Sequence, residues 1–226
     1  MLFALDAPWI FVGLVLSFLL GLVLRAVAIR LTARSLGLAD RRDSLAPRLR
    51  EDVDPFGAVA AAIGGMGWGK MLSVDEVPRH RGRGRAIAMF AAGPAVCILA
   101  AQLLFLAYVL LYPDNLLALL GPADVMRGAN YPGQAIPDQV LLGLAVGLLC
   151  FGLLALIPMP PLDGFGILYY AQRHPGGRGM QSYRLWFEEK NIGVLVLLAC
   201  SLFPFGYPLL LIVLNVLGLL FVRLWG

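Results

Sequence analysis

Three long apolar runs dominate the sequence and predict membrane-spanning helices. They cover residues 9–24, 87–111 and 140–157, and the helical pattern of the first continues to Leu31. A transmembrane helix needs about 20 predominantly apolar residues, a length that these runs reach or approach. The pattern therefore predicts an all-α polytopic membrane protein.

A shorter apolar segment follows the first run and predicts a different structure. Residues 56–68 are too few for a span, and five glycines lie within or beside them: Gly57, Gly64, Gly65, Gly67 and Gly69. Irregular backbone is tolerated at membrane depth only where other parts of the protein cover it. We therefore expect a re-entrant segment or one that lies at the membrane edge.

The last apolar stretch leaves two structures open. It covers residues 192–222 and is interrupted by prolines within 204–208, so it forms either one kinked span or a short hairpin. With it, the chain has about four to five transmembrane helices. One membrane domain is expected at this length, covering residues 1–226, with a core at about 9–170 and the C-terminal helix or hairpin at 192–225.

Composition and charge agree with a membrane protein and predict its orientation. The chain is 60% hydrophobic, whereas a soluble domain is nearer half apolar. Lysine and arginine are concentrated in the loops at 25–85 and 172–191 and are sparse in 112–138. Because cytoplasmic loops carry the excess of these residues, we expect the first two to be cytoplasmic. The third loop and the amino terminus are then outside, and the net charge of +4 indicates no nucleic-acid partner.

A basic run at residues 78–85 is a dense cluster of positive charge. Its arginines are Arg79, Arg81, Arg83 and Arg85. We interpret the run as a solvated loop that contacts anionic lipid headgroups, and the alternative for His80, within it, is a metal or nucleic-acid site. The other histidine, His174, is predicted to be an exposed loop residue.

A single carboxylate, Asp163, ends the third apolar run. It lies in the segment Pro158-Met159-Pro160-Pro161-Leu162-Asp163-Gly164, and an ionisable group at that depth costs several kcal/mol unless it has a partner. The loop charges place Arg25 at the same membrane face, so the two can form a bidentate ion pair. Alternatively, Arg25 extends to the lipid headgroups and Asp163 caps nearby backbone amides.

Small residues predict where the helices approach closely. Gly143 and Gly147 have the GxxxG spacing, and Gly93 precedes Pro94 in the second span. Glycine faces permit close contact between helices in a membrane. The GxxxG pair serves either packing within one chain or contact between two chains.

The proline-rich segment also resembles a known signature. Residues 155–164 resemble the Asn-x-x-Pro-x-Pro-x-Leu-Asp-Gly signature of the site-2 protease family of intramembrane zinc metalloproteases, in its small bacterial branch. The matching residues are Pro158, Pro160, Leu162, Asp163 and Gly164, with Pro161 between them. Four further stretches are similar in the same order: Leu36-Gly37, Asp54-Pro55-Phe56-Gly57, Gly67-Trp68-Gly69-Lys70 and Ala91-Ala92-Gly93-Pro94. The resemblance implies that Asp163 corresponds to a zinc ligand and that the protein lies in a bacterial inner membrane.

The catalytic part of that signature is absent from the sequence. The family's His-Glu-x-x-His motif binds zinc through two histidines and uses the glutamate as general base, but no histidine precedes His80. The resemblance puts Arg25 and Ile29 at the histidine positions and Ala26 at the glutamate position, and Ala155 replaces the asparagine.

A catalytic zinc takes three protein ligands, so the resemblance implies a pseudo-protease with no catalytic residues and no cofactor. Asp163 is then a remnant ligand. Such a protein is expected to act as a structural or adaptor subunit that binds transmembrane helices of a partner complex. The alternative is an active intramembrane zinc metalloprotease with an atypical metal site.

Overall fold

The computed structural model contains helices of very different lengths. It describes residues 4–40, 44–77, 79–113, 120–129, 133–172, 177–202 and 208–225, except for the side chains of Leu49 and Arg79. The helices are α1 (Pro8–Ser35), α2 (Leu49–Asp52), α3 (Pro55–Gly64), α4 (Arg83–Leu111), α5 (Pro122–Met126), α6 (Ile136–Ala155), α7 (Asp163–Ala171), α8 (Arg178–Arg184), α9 (Ile192–Ser201) and α10 (Leu209–Val222). The described residues include no strand beyond one isolated bridge, so the predicted all-α fold is confirmed.

Three of these helices, α1, α4 and α6, are long and apolar enough to cross a membrane. They pack against one another. The most apolar part of α6 is 78% buried, compared with 44% for α1 and 28% for α4. Helix α6 is therefore the centre of the bundle, and α1 and α4 leave more of their apolar surface for lipid.

The GxxxG pair of α6 packs within the chain. A Cβ at Gly143 would lie 2.7 Å from the carbonyl oxygen of Ile10 on α1, and a Cβ at Gly147 would overlap the side chain of Ser17. Only glycine permits this approach of two backbones. Of the two uses left open by the sequence, these contacts correspond to packing between α1 and α6.

The glycine-rich segment after the first span folds back on itself. Helix α3 ends at Gly64, and Gly65 has a φ of 81° that favours glycine. The chain then returns without regular secondary structure, and an antiparallel bridge joins Val53 to Gly69. The two ends of the segment therefore meet at this bridge, and the predicted reversal of the chain after the first span is present.

Two segments expected to be loops carry helices. In the 112–138 segment, the short helix α5 packs against α6 and α10, and the amide of Ala123 donates to Asn215 Oδ1 at 3.0 Å. In the 172–191 segment, α8 continues as a π-helical turn at Leu185–Glu189. These segments between the spans therefore contain short helices of their own, which have partners elsewhere in the chain, Asn215 on α10 and Asp75 before α4.

Helix α8 is held by Arg184. Its guanidinium donates to Asp75 at 2.6 Å and to Glu188 at 2.8 Å. The hydrogen bond that Arg184 donates to Asp75 is the main cause that raises the pKa of Arg184 above its ordinary value, although burial opposes it. The charged pair thus ties the 172–191 segment to the loop before α4.

The last apolar stretch forms two shorter helices, α9 and α10. Helix α9 packs on α3, and α10 packs on α5, α6 and α9. Neither reaches the length of a span. The predicted break at 204–208 lies mostly outside the described residues, since only Pro208 of that segment is described.

Candidate functional site

Arg25 and Asp163 form a buried, two-pronged ion pair. The Arg25 Nε donates to Asp163 Oδ2 and the Nη2 donates to Oδ1, each at 2.5 Å. Arg25 is 4% exposed and Asp163 is 1% exposed. The guanidinium fork matches the carboxylate geometry, so this contact joins α1 to the start of α7 across 138 positions of sequence.

The third arm of the guanidinium binds the backbone. Arg25 Nη1 donates to the carbonyl oxygen of Lys70 at 3.0 Å. Asp163 lies at the first position of α7. The N-cap residue of this helix is Leu162, whose side chain makes no capping hydrogen bond. Of the two arrangements that the sequence left open, the structure has the ion pair.

Two glycines make room for the arginine. A Cβ at Gly93 on α4 would lie 2.8 Å from Arg25 Cγ, and a Cβ at Gly69 would lie 2.9 Å from Arg25 Nη1. Pro94, next to Gly93, is buried inside α4. The predicted packing role of Gly93 is therefore contact with Arg25, and a side chain at either glycine would displace the guanidinium.

The proline-rich turn positions the carboxylate. The amide of Leu162 donates to the Met159 carbonyl at 2.8 Å, which folds the turn back toward α6. A Cβ at Gly164 would come within about 2.5 Å of the carbonyl oxygens of Leu156 and Ile157, closer than real Cβ contacts. The remaining motif residues, Pro158, Pro160 and Pro161, form the turn itself, and the Pro160–Pro161 peptide is cis. The turn brings Asp163 to Arg25 on α1.

Asp54 fixes the backbone that carries Lys70. Its Oδ1 accepts from the amide of Phe56 at 2.8 Å and caps α3, while its Oδ2 accepts from Trp68 Nε1 at 3.1 Å. The amide of Lys70 donates to the Asp52 carbonyl at 2.9 Å. The separate sequence motifs around Asp54 and Trp68 thus form one unit that presents the Lys70 carbonyl to Arg25.

Apolar side chains continue the α1 face beyond the arginine. Ala26 and Ile29 are buried and line a cavity of about 520 Å³ that also borders Arg25 and Lys70. On the other side of Lys70, a groove of about 740 Å³ runs between α3 and α9 and reaches Pro161. Lys70, whose carbonyl binds Arg25, therefore borders both openings.

The described contacts of the basic run at residues 78–85 do not involve the Arg25–Asp163 pair. Arg81, Arg83 and Arg85 are exposed at the start of α4, and Arg83 Nη1 donates to the Gln172 carbonyl at 3.3 Å. Arg79 begins a short 3-10 turn, and its side chain is outside the described part of the chain. His80 is exposed, and His174 lies outside the described residues.

Metal ligands do not cluster in the described residues. No group of three or more histidine, cysteine, aspartate or glutamate residues there could hold a metal ion. Sequence reasoning missed the Lys70 carbonyl, because a backbone acceptor leaves no residue-type signal.

Comparison of the chain with protein-family models, curated proteins and solved structures gives no match.

Proposed function

We propose that this chain is a non-catalytic membrane protein with the architecture of an intramembrane metalloprotease of the site-2 family, and that it binds transmembrane helices of a partner complex. The observation that carries the proposal is the ion pair between Arg25 and Asp163. In the family signature that the proline-rich segment resembles, the corresponding aspartate is a zinc ligand. Here a fixed cation supplies its counter-charge.

The chemistry of the neighbouring residues supports an inactive site. Both carboxylate oxygens of Asp163 accept hydrogen bonds from Arg25, so a divalent cation on that carboxylate would be repelled by an adjacent guanidinium. Ala26 and Ile29 carry only hydrocarbon and can neither ligate zinc nor transfer protons. In this proposal the pair has a structural role and holds α1 against α7.

The groove between α3 and α9 supports the binding of a helix. Its walls include Phe56, which is 56% exposed, and Leu195, which is 62% exposed. Large exposed apolar side chains beside a concave surface are typical of interaction sites. A partner helix in this groove would contact Lys70 and Pro161 without requiring any catalytic group.

The orientation and lipid contacts belong to the same proposal. The excess of lysine and arginine in residues 25–85 and 172–191 favours a cytoplasmic location for the ion-pair end of the bundle, in a bacterial inner membrane with the amino terminus outside. The exposed side chains of Arg81, Arg83 and Arg85 would then face anionic headgroups, together with Arg79.

Metal analysis tests the loss of catalysis. The full chain, purified in mild detergent through a tag without histidines, is expected to hold zinc far below stoichiometry, and Asp163→Ala should not change the zinc content. Zinc at about one ion per chain that disappears in Asp163→Ala would instead support an active metalloprotease with an atypical site.

Site-specific photocrosslinking tests the helix-binding role. A photoreactive residue at Phe56 or Leu195 should give an adduct of one defined mass in native membranes. The matched control is Leu103 on α4, which is equally apolar and 66% exposed but lies outside the groove. Equal crosslinking from all three positions, or lipid adducts alone, would refute the proposal.

A further inference from the structure

The cavity beside α1 combines the size of a ligand site with an excess of positive charge. Its volume of about 520 Å³ lies within the range of small-molecule pockets, which is about 300–1,000 Å³. Ala26, Ile29 and Ala33 form an apolar wall along α1, and Met71 and Leu72 also line the space. Charged side chains complete the lining, so the cavity has the mixed character of a binding site.

Most of these charges are already paired. Arg30 donates to Asp52 at 2.7 Å, and Arg48 donates to Glu51 at 3.0 Å. Arg25 is neutralised by Asp163. In the part of the chain that the structure describes, Arg34 and Lys70 are the lining cations whose side chains have no carboxylate partner. Glu76 is a lining carboxylate without an ion pair among the described residues, so two unpaired cations face one unpaired anion.

The Nε of Arg34 also lacks a hydrogen-bond acceptor among the described residues, and it is shielded from solvent. A buried donor without a partner costs about 1–3 kcal/mol, although the Arg34 side chain as a whole is only half-buried. The side chain also lines the cavity, so an anion placed there would lie beside an arginine whose charge is not neutralised by any carboxylate of the described residues.

We infer that this cavity binds a phosphate-bearing anion, with Arg34 and Lys70 as its cationic ligands. Phosphate offers several acceptor oxygens to a guanidinium fork and a compact charge to an ammonium group. The apolar wall of α1 accommodates the organic part of the ligand. The source is either a soluble phosphate ester or the headgroup of an anionic phospholipid. This inference stands independently of the proposed function, because it requires neither a partner helix nor the loss of a metal.

The test uses the full chain in neutral detergent with two probes. Glycerol 3-phosphate is titrated by calorimetry, and retention of phosphatidylglycerol over phosphatidylcholine from an equal mixture is measured by native mass spectrometry. Arg34→Gln should weaken binding about tenfold or more, since it removes a charge-assisted hydrogen bond. Lys70→Gln, which changes only an exposed side chain, serves if Arg34→Gln does not fold. Arg81→Gln is the matched control, because it removes one exposed arginine from outside the cavity.

Each outcome decides the inference. Binding of glycerol 3-phosphate that depends on Arg34 and Lys70 supports a site for soluble phosphate esters. Retention of phosphatidylglycerol alone, with the same dependence, supports a lipid headgroup. Binding of neither probe overturns the inference, and so does an equal loss in Arg81→Gln, which would indicate only general attraction to a basic protein.

Discussion

The ion pair between Arg25 and Asp163 gives the sharpest prediction, a strong energetic coupling between two residues 138 positions apart. Removing either partner leaves an uncompensated charge at a site that is 4% or 1% exposed. Such a truncation costs roughly 3–5 kcal/mol. Arg25→Ala and Asp163→Ala should therefore each lower the free energy of unfolding by about that amount.

The double variant should cost much less than the two single losses combined. Once both charges are gone, no buried ion remains to be compensated, and only packing and the hydrogen bond to Lys70 are lost. We expect the double variant to be about as stable as either single variant, which corresponds to a coupling of roughly 3–5 kcal/mol. The stability of Arg25→Lys should lie between that of the unaltered chain and that of Arg25→Ala, because lysine keeps the charge but loses the two-pronged geometry.

Equilibrium unfolding in mixed micelles, with increasing dodecyl sulfate as denaturant, provides the measurement. The exposed pair of Arg48 and Glu51, whose side chains are 53% and 56% exposed, is the control cycle and should show a coupling below about 1 kcal/mol. If the losses in Arg25→Ala and Asp163→Ala add to within about 0.5 kcal/mol, the two residues are not coupled and the structural role of the pair is refuted.

Three further predictions concern the surrounding fold. Gly147→Ala should lower the free energy of unfolding by about 1–3 kcal/mol, because the new methyl group would overlap the Ser17 side chain; Gly84→Ala, where a Cβ meets nothing within 4 Å, should not, and thermal unfolding of both checks this. Asp54→Ala should cost about 2–4 kcal/mol, because it removes the cap of α3 and the acceptor of Trp68 Nε1; a loss no larger than that of Asp54→Asn would contradict the role of the carboxylate. The raised pKa of Arg184 means that its stabilising charge is fully present below the ordinary arginine pKa and is lost only above the raised one. The stability difference caused by Arg184→Gln should therefore be the same at about pH 6 and about pH 9, and a difference that changes with pH would count against the assigned contacts.

The fold was predictable where the signal was local. Long apolar runs determine α1, α4 and α6, because a helix that lacks polar groups must be buried or face lipid. Repeated glycines predicted the reversal after α1. The helices α5 and α8 were not predicted, because they are short and are stabilised by distant partners such as Asn215 and Asp75.

The candidate site was predictable only in part. Charge asymmetry alone placed Arg25 and Asp163 at one face of the membrane and so made them possible partners. It could not distinguish pairing from an arginine that extends to the headgroups, because both satisfy the same pattern. The Lys70 carbonyl, the glycines that make room for Arg25 and the unpaired Nε of Arg34 have no signature in the residue pattern.

The sequence by itself determined that this is a helical membrane protein, that its proline-rich turn ends in a carboxylate, and that the residues around Arg25 lack the groups of a metalloprotease. These properties follow from residue type and spacing along the chain. The tertiary structure alone decided that the guanidinium meets the carboxylate, that the GxxxG face is used within the chain, and that a cavity with an unsatisfied arginine lies beside the pair. Those outcomes depend on distances between segments far apart in sequence, and side-chain contacts over such separations are fixed only when the helices pack.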